Sequence, residues 1–70
     1  MKNRLKVYRE KLNLTQTEFA QELDIDRPAY NLLENNKKSI GLKVLTKIFL
    51  YLRRTYFPDI HMEDLLDFDE

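Results

Sequence analysis

Residues 14–36, LTQTEFAQELDIDRPAYNLLENN, decide the fold because they carry the start signals of two short helices. Thr15 has the side chain of an N-cap, and Glu18 three residues later completes a capping box. The apolar residues that follow recur at helical spacing up to position 23. This pattern predicts a helix over residues 16–23.

A second start signal follows after only three residues. Asp24, Ile25 and Asp26 interrupt the helical pattern, and Asp26 is a suitable N-cap for another helix. Pro28 is tolerated in the first turn, where backbone amides have no partner within the helix. We therefore predict a helix over 27–34. Two short helices joined by a tight turn form a helix-turn-helix unit, whose second helix can lie in the major groove of DNA.

Eight positions in and before this unit have the spacing of a known pattern. They are Arg9, Gln16, Ala20, Leu23, Ile25, Leu33, Glu34 and Asn35. With this spacing the chain resembles the Cro/repressor-type helix-turn-helix proteins, often called the Xre family, from about residue 5 to residue 66. The resemblance implies an all-α, lambda-repressor-like domain of five short helices that binds double-stranded DNA.

The other helices are predicted from apolar periodicity. Leu5, Tyr8 and Leu12 indicate a helix over 2–12, and a short fifth helix is expected over 62–67 with His61 at its cap. A longer stripe predicts a helix over 42–54. Its inward residues are expected to be Leu42, Leu45, Ile48, Phe49 and Leu52. The five helices belong to a single domain, residues 1–70.

Apolar residues also lie off the stripe of the 42–54 helix. Val44, Leu50 and Tyr51 leave an apolar surface that a second copy of the chain could cover. This surface and the C-terminal segment are the expected interface of a homodimer. Alternatively, the C-terminal segment itself folds back over these residues through Tyr56, Phe57 and Ile60.

Composition excludes several classes of function. The 70 residues are enough for one small core and leave no room for an added enzyme domain. The sequence has no cysteine and one histidine, and it has no paired catalytic acids or Gly-rich phosphate loop. We therefore expect no enzyme activity, no cofactor and no metal. Without a signal segment or an apolar run of membrane length, the protein is expected to be cytoplasmic and to have no membrane partner.

The formal net charge is zero, but the charges are unevenly distributed. All 12 Lys and Arg lie in residues 1–54 together with six acids, so this part carries +6. Residues 55–70 hold the other six acids and end in an acidic segment, 67–70, which we expect to be mobile. A basic body is typical of phosphate binding, although solvated helices share the feature.

Candidate DNA contacts fall into two groups. The residues expected to face base edges from the 27–34 helix are Arg27, Pro28, Asn31 and Leu32. The residues expected to contact phosphates around it are Gln16, Asn36, Lys37 and Lys38. Gln16 is included because it begins a helix, where free amides and the helix dipole attract anions, and because family members carry glutamine there in contact with DNA.

The resemblance also implies one structural ion pair. In this family the arginine at the position of Arg9 pairs with the glutamate that ends the recognition helix, here Glu34. A guanidinium and a carboxylate can pair through two hydrogen bonds, which would clamp the first helix to the third. Asn36 stands where the family usually has glycine, and asparagine is the next-best residue for a left-handed helix cap.

Two functions remain open on sequence grounds. The first is a sequence-specific transcriptional regulator, repressor-like, that binds a palindromic site as a homodimer. The second is a module of the same fold that binds protein, such as an antitoxin-like or accessory component. Pro28 and Leu32 favour the second, because DNA readers often carry polar residues at these outward positions.

Overall fold

Within residues 2–67, the part of the chain that the computed structural model describes, four α-helices accompany one 3₁₀ helix and a two-stranded antiparallel sheet. In chain order the elements are β1 (Lys2–Asn3), α1 (Leu5–Lys11), α2 (Gln16–Glu22), α3 (Arg27–Glu34), α4 (Leu42–Thr55), the 3₁₀ helix Met62–Asp64 and β2 (Leu66–Asp67). None of these helices is long and apolar enough to cross a membrane. The acidic segment 67–70 lies outside the described residues, apart from the backbone of residue 67.

The capping box predicted at the start of α2 is confirmed. Glu18 N donates to Thr15 Oγ1 at 3.1 Å, and Thr15 N donates to Glu18 Oε1 at 2.9 Å. These bonds satisfy two amides that a helix start leaves free. The bond from Thr15 N lowers the pKa of the Glu18 carboxyl because it favours the charged form. Asp26 precedes α3 as expected, but its side chain makes no capping hydrogen bond. That part of the prediction is wrong, and Pro28 leaves one amide fewer to cap.

The helices α1, α2 and α3 each end at an Asn or Asp in the left-handed conformation. The angle φ is 57° at Asn13, 58° at Asp24 and 58° at Asn36. After α2, Ile25 N donates to Ala20 O at 2.9 Å, which closes a Schellman motif. The left-handed cap predicted at Asn36 is confirmed. The same chemistry ends the other two helices, because Asn and Asp adopt this conformation more easily than other residues with a Cβ.

The described residues begin with a strand instead of the first turn of a helix. The helix predicted over 2–12 is α1, but it starts only at Leu5. Asn3 holds the backbone before it, because its Nδ2 donates to Leu33 O at 2.6 Å and its Oδ1 accepts from Leu5 N at 3.2 Å. The partner at the end of α3 is available only in the folded protein, so periodicity along the sequence could not indicate it.

The fifth α-helix predicted over 62–67 is wrong. Met62–Asp64 form a single 3₁₀ turn, and Leu66–Asp67 pair with β1 as β2. Next to this pairing, Arg4 N donates to Leu65 O at 2.8 Å. The extended conformation is favoured here because β1 supplies backbone hydrogen-bond partners that a last helical turn would lack.

One apolar cluster forms the core between the helices and the C-terminal segment. Its buried members are Leu5, Phe19, Ala20, Leu23, Tyr30, Leu45, Ile48, Leu52, Ile60, Leu65 and Leu66. The rings of Phe19 and Tyr30 pack edge to face with centroids 5.6 Å apart, which joins α2 to α3. Leu42 was predicted to lie inside but is 75% exposed. It is the first residue of α4, and burial on that helix begins one turn later at Leu45.

The C-terminal segment folds back onto the helices, but it does not cover all of α4. Phe57 packs edge to face against Tyr8 with ring centroids 5.2 Å apart, and Ile60 is buried in the core. Val44 and Leu50 nevertheless remain 37% and 39% exposed. The apolar side chains of Val44 and Leu50 therefore remain exposed on the surface of α4 after the segment has folded back.

A polar contact fastens α4 to α2 beside this surface. Glu22 Oε1 accepts a hydrogen bond from Tyr51 OH at 2.7 Å and another from Tyr56 OH. The bond to Glu22 raises the pKa of Tyr51, because losing the proton would leave two anions together. The Tyr51 hydroxyl is thus used within the chain, while the neighbouring Leu50 stays exposed.

Candidate nucleic-acid interface

The outer face of α3 carries the four residues expected to contact bases. Arg27, Pro28 and Leu32 are exposed, and Asn31 is half-buried. All four line the same shallow depression on the surface. The helix begins after Asp26, and its inward residue Tyr30 packs against α2, so the opposite face is left to solvent. An exposed helix face that carries both polar and apolar side chains can lie in the major groove of DNA.

Glu34, the last residue of α3, is the one buried charged residue in the described part of the protein, with 4% of the whole residue exposed. Its Oε1 accepts hydrogen bonds from Arg9 Nε at 2.6 Å and from Tyr30 OH at 2.8 Å. Its Oε2 accepts from Gln16 Nε2 and, at 3.4 Å, from Arg9 Nη2. The pair implied between Arg9 and Glu34 is thus part of a larger network, with donors from α1, α2 and α3.

Electrostatics within this network favour a charged carboxylate. Burial by itself raises the pKa of Glu34, but the hydrogen bonds from Arg9, Gln16 and Tyr30 outweigh burial and hold that pKa below its usual range. The bond to Glu34 raises the pKa of Arg9. Burial, reinforced by the bond to Glu34, raises the pKa of Tyr30. Glu34 is therefore an acceptor at neutral pH, and its partners are donors.

Gln16 joins this network to the outer face of α3. Besides donating to Glu34, its side chain accepts a hydrogen bond at Oε1 from Asn31 Nδ2 at 3.0 Å. The expected phosphate contact is thus limited to the second hydrogen of Gln16 Nε2, because phosphate oxygens only accept hydrogen bonds. Sequence reasoning missed both bonds because they join residues 18 and 15 positions apart. The bond between Tyr30 and Glu34 has a local signal, since residues four apart share a helix face.

The other expected phosphate contacts lie in the loop that follows α3. Asn36, Lys37 and Lys38 are exposed. The backbone amides of the two lysines donate to Leu32 O at 2.9 and 3.3 Å, which fixes the start of the loop against the helix end. Asn36 Oδ1 accepts a hydrogen bond from Asn3 N at 2.9 Å, so its Nδ2 group is what it can offer to an anion.

The helix α2, the tight turn and α3 define a helix-turn-helix protein, a class in which the second helix enters the major groove. The chain belongs to the helix-turn-helix family, which matches residues 5–56. It is 42% identical over 65 residues to control protein C.MunI from Mycoplasma sp., in an alignment that covers 87% of this chain and 88% of that protein. No solved structure gives a significant match.

These similarities confirm the resemblance to Xre-type proteins and settle the class of function. The chain is a DNA-binding transcriptional regulator. The family is one of regulatory DNA-binding proteins and not of enzymes.

Replacement of Arg9 by alanine is expected to lower stability severely. It removes three donors from a side chain that is 15% exposed and leaves the 1% exposed Glu34 carboxylate without its cation. Losing one partner of a buried pair costs about 3–5 kcal/mol, against a total stability of roughly 5–15 kcal/mol for a domain. Thermal unfolding followed by circular dichroism measures the change. Lys6→Ala, an exposed change on the same helix, should shift the midpoint little, and an equally small shift in Arg9→Ala would contradict the clamp.

Stability is expected to fall in acid because of Glu34. Its pKa is below the usual 4.5 in the folded protein, so the unfolded chain takes up the proton first. The stabilisation is fully present above that usual value and is lost as pH falls through the folded pKa. Unfolding midpoints at several pH values should therefore decline more steeply for the wild type than for Glu34→Gln. Glu18→Gln is the control, because Glu18 is another carboxyl whose pKa is lowered. Parallel declines in the wild type and Glu34→Gln would refute a contribution of Glu34 to the loss of stability in acid.

Proposed function

We propose that the protein regulates transcription by reading a specific duplex sequence with the outer face of α3, within a lambda-repressor-like arrangement of its helices. The observation that carries this proposal is the grouping of Arg27, Pro28, Asn31 and Leu32 around one exposed depression on that helix. Such a face combines hydrogen-bonding and apolar groups, which base edges in the major groove require.

Each of these side chains suits a different base feature. Arg27 can donate two hydrogen bonds to O6 and N7 of guanine. Asn31 can donate to N7 and accept from N6 of adenine. Pro28 and Leu32 can make only apolar contact, for which the methyl group of thymine is the matching partner. The two apolar residues are therefore compatible with a DNA reader.

Phosphate contacts would orient α3 in the groove. Gln16, at the start of α2, contacts Asn31 and Glu34, and Asn36, Lys37 and Lys38 follow the end of α3, so the candidate phosphate contacts lie near the C-terminal half of the reading helix. Contacts to phosphate fix register and supply affinity without base preference. All the basic residues lie within 1–54, which agrees with a binding surface on this part of the chain.

A homodimer would contact a longer DNA sequence than one short reading helix can contact alone. We infer that it forms through Val44, Leu50 and Tyr51 of α4 together with the C-terminal segment, because Val44 and Leu50 are exposed apolar side chains. A two-fold dimer requires a palindromic site with half-sites about 34 Å apart. The Tyr51 hydroxyl is bound to Glu22, so its contribution to a partner would be the ring and not the hydroxyl.

The similarity to a control protein supports a regulator of transcription that acts on DNA. We propose that it acts in the cytoplasm. The alternative predicted from the sequence, a module that binds protein through the same helices, rests only on the apolar pair Pro28 and Leu32, and the match to DNA-binding regulators disfavours it. Gel-shift titrations at low and moderate salt separate the two. DNA binding through phosphates weakens steeply as salt rises, whereas an antitoxin-like module would bind random and selected duplexes poorly at every salt concentration.

Arg27→Ala and Lys37→Ala are expected to affect DNA binding differently. Loss of Arg27 should weaken a selected site by about 1–3 kcal/mol and relax preference at one symmetric pair of positions. Loss of Lys37 should weaken all duplexes alike and reduce the salt dependence by about one phosphate contact. Each variant is titrated against the selected site and a scrambled site. Equal weakening of both duplexes by Arg27→Ala would mean that α3 is not the reader.

Leu50→Glu is expected to disrupt the dimer. A carboxylate introduced into an apolar interface would have to be desolvated without a partner, which is unfavourable. Sedimentation velocity of the free protein should then give a monomer at concentrations where the wild type is a dimer. Val7→Glu, on α1 and 46% exposed, is the matched control and should leave the dimer intact. Unchanged association of Leu50→Glu would exclude this face of α4.

A further inference from the structure

The hydrogen-bond network around Glu34 has a defined direction. A carboxylate has only acceptors, so each group that faces it must be a donor. The group of Gln16 that contacts Glu34 Oε2 is therefore Nε2, which turns Oε1 of the same amide toward Asn31. An oxygen in that position requires a donor from Asn31, and the donor is Nδ2 at 3.0 Å.

This direction determines what Asn31 can offer to a ligand. One Nδ2 hydrogen is used by Gln16, so the amide exposes its Oδ1 and the second Nδ2 hydrogen. A free asparagine amide can rotate by half a turn and exchange its donor and acceptor. In this protein such a rotation would bring Oδ1 against Gln16 Oε1, and two acceptors repel each other.

We propose that Glu34 and Gln16 are positioning residues for base readout: the buried carboxylate, acting through Gln16, fixes the amide of Asn31 with one acceptor and one donor outward and thereby selects adenine over guanine. The inference rests on the proposed role of α3 as the reading helix. Adenine presents an acceptor at N7 and a donor at N6, which this amide matches, whereas guanine presents two acceptors.

Three variants test the proposed relay, the chain of hydrogen bonds from Glu34 through Gln16 to Asn31. Affinity is measured for duplexes that differ by adenine or guanine at one position. Asn31→Ala first locates that position, as the one where base preference disappears. Gln16→Met keeps the length of the side chain but frees the Asn31 amide to rotate. Glu34→Gln gives the buried position a donor, so the Gln16 amide can rotate and direct its Nε2 toward Asn31. The Asn31 amide would then accept that hydrogen bond through Oδ1 and turn both Nδ2 hydrogens outward.

The measured quantity is the ratio of the two affinities, because a lost phosphate contact of Gln16 lowers both affinities equally and leaves their ratio unchanged. The wild type should prefer adenine by roughly 5- to 150-fold, the range of a two-bond contact. Gln16→Met should remove most of that preference, and Glu34→Gln should shift it toward guanine. Lys37→Ala serves as the control whose ratio stays at the wild-type value.

Two failures are distinguishable. If Asn31→Ala changes preference at one position but Gln16→Met leaves the ratio of the wild type unaltered, the relay is refuted while the reading role of α3 stands. If Asn31→Ala changes no position, the proposed readout by Asn31 fails, and the relay fails with it. Gln16→Met decides the question even if Glu34→Gln does not fold, since Gln16 is half-buried on the surface side of the network.

Discussion

A carboxylate placed inside a 70-residue protein constrains everything around it. Glu34 would be strongly unfavourable there without partners, because burial of an unpaired charge is costly even after the surroundings relax. Arg9, Gln16 and Tyr30 provide those partners from α1, α2 and α3. Each of these helices has seven or eight residues, too few to be stable in isolation. The carboxylate and the apolar core therefore hold together helices that could not persist separately.

In the readout that we propose, the same carboxylate would connect stability with recognition. Tyr30 and Glu34 face inward from α3, while Arg27 and Leu32 face outward, and Gln16 bridges the two sides through Asn31. Both oxygens of the Glu34 carboxylate have hydrogen-bond partners, and a satisfied buried polar network restrains the side chains that form it. Rigidity beneath a reading helix lowers the entropy lost when that helix binds. The buried Glu34 is thus linked through Gln16 to Asn31 on the outer face of α3.

The helix caps, the charge distribution and α4 shape the rest of the protein. Short polar caps at Asn13, Asp24 and Asn36 end the helices without glycine, so the chain turns sharply at fixed points. The formal net charge is zero, but residues 1–54 are basic and residues 55–70 are acidic. On α4, hydrogen bonds to Glu22 hold the tyrosines while Leu50 remains exposed. The α4 helix thus buries apolar residues in the core on one side and leaves Leu50 exposed on another side.

The sequence by itself determined the features that depend on neighbours in the chain. The capping box of Thr15, the left-handed cap at Asn36 and the helical stripes involve residues at most a few positions apart, so local chemistry specifies them. The pairing of β1 with β2 joins the two ends of the described chain, and the bonds of Gln16 join residues 15 and 18 apart. Such contacts arise only when packing brings distant groups together. Tertiary structure therefore decided that α1 starts only at Leu5, that residues 62–67 form a 3₁₀ turn and a strand, and how the Asn31 amide is held.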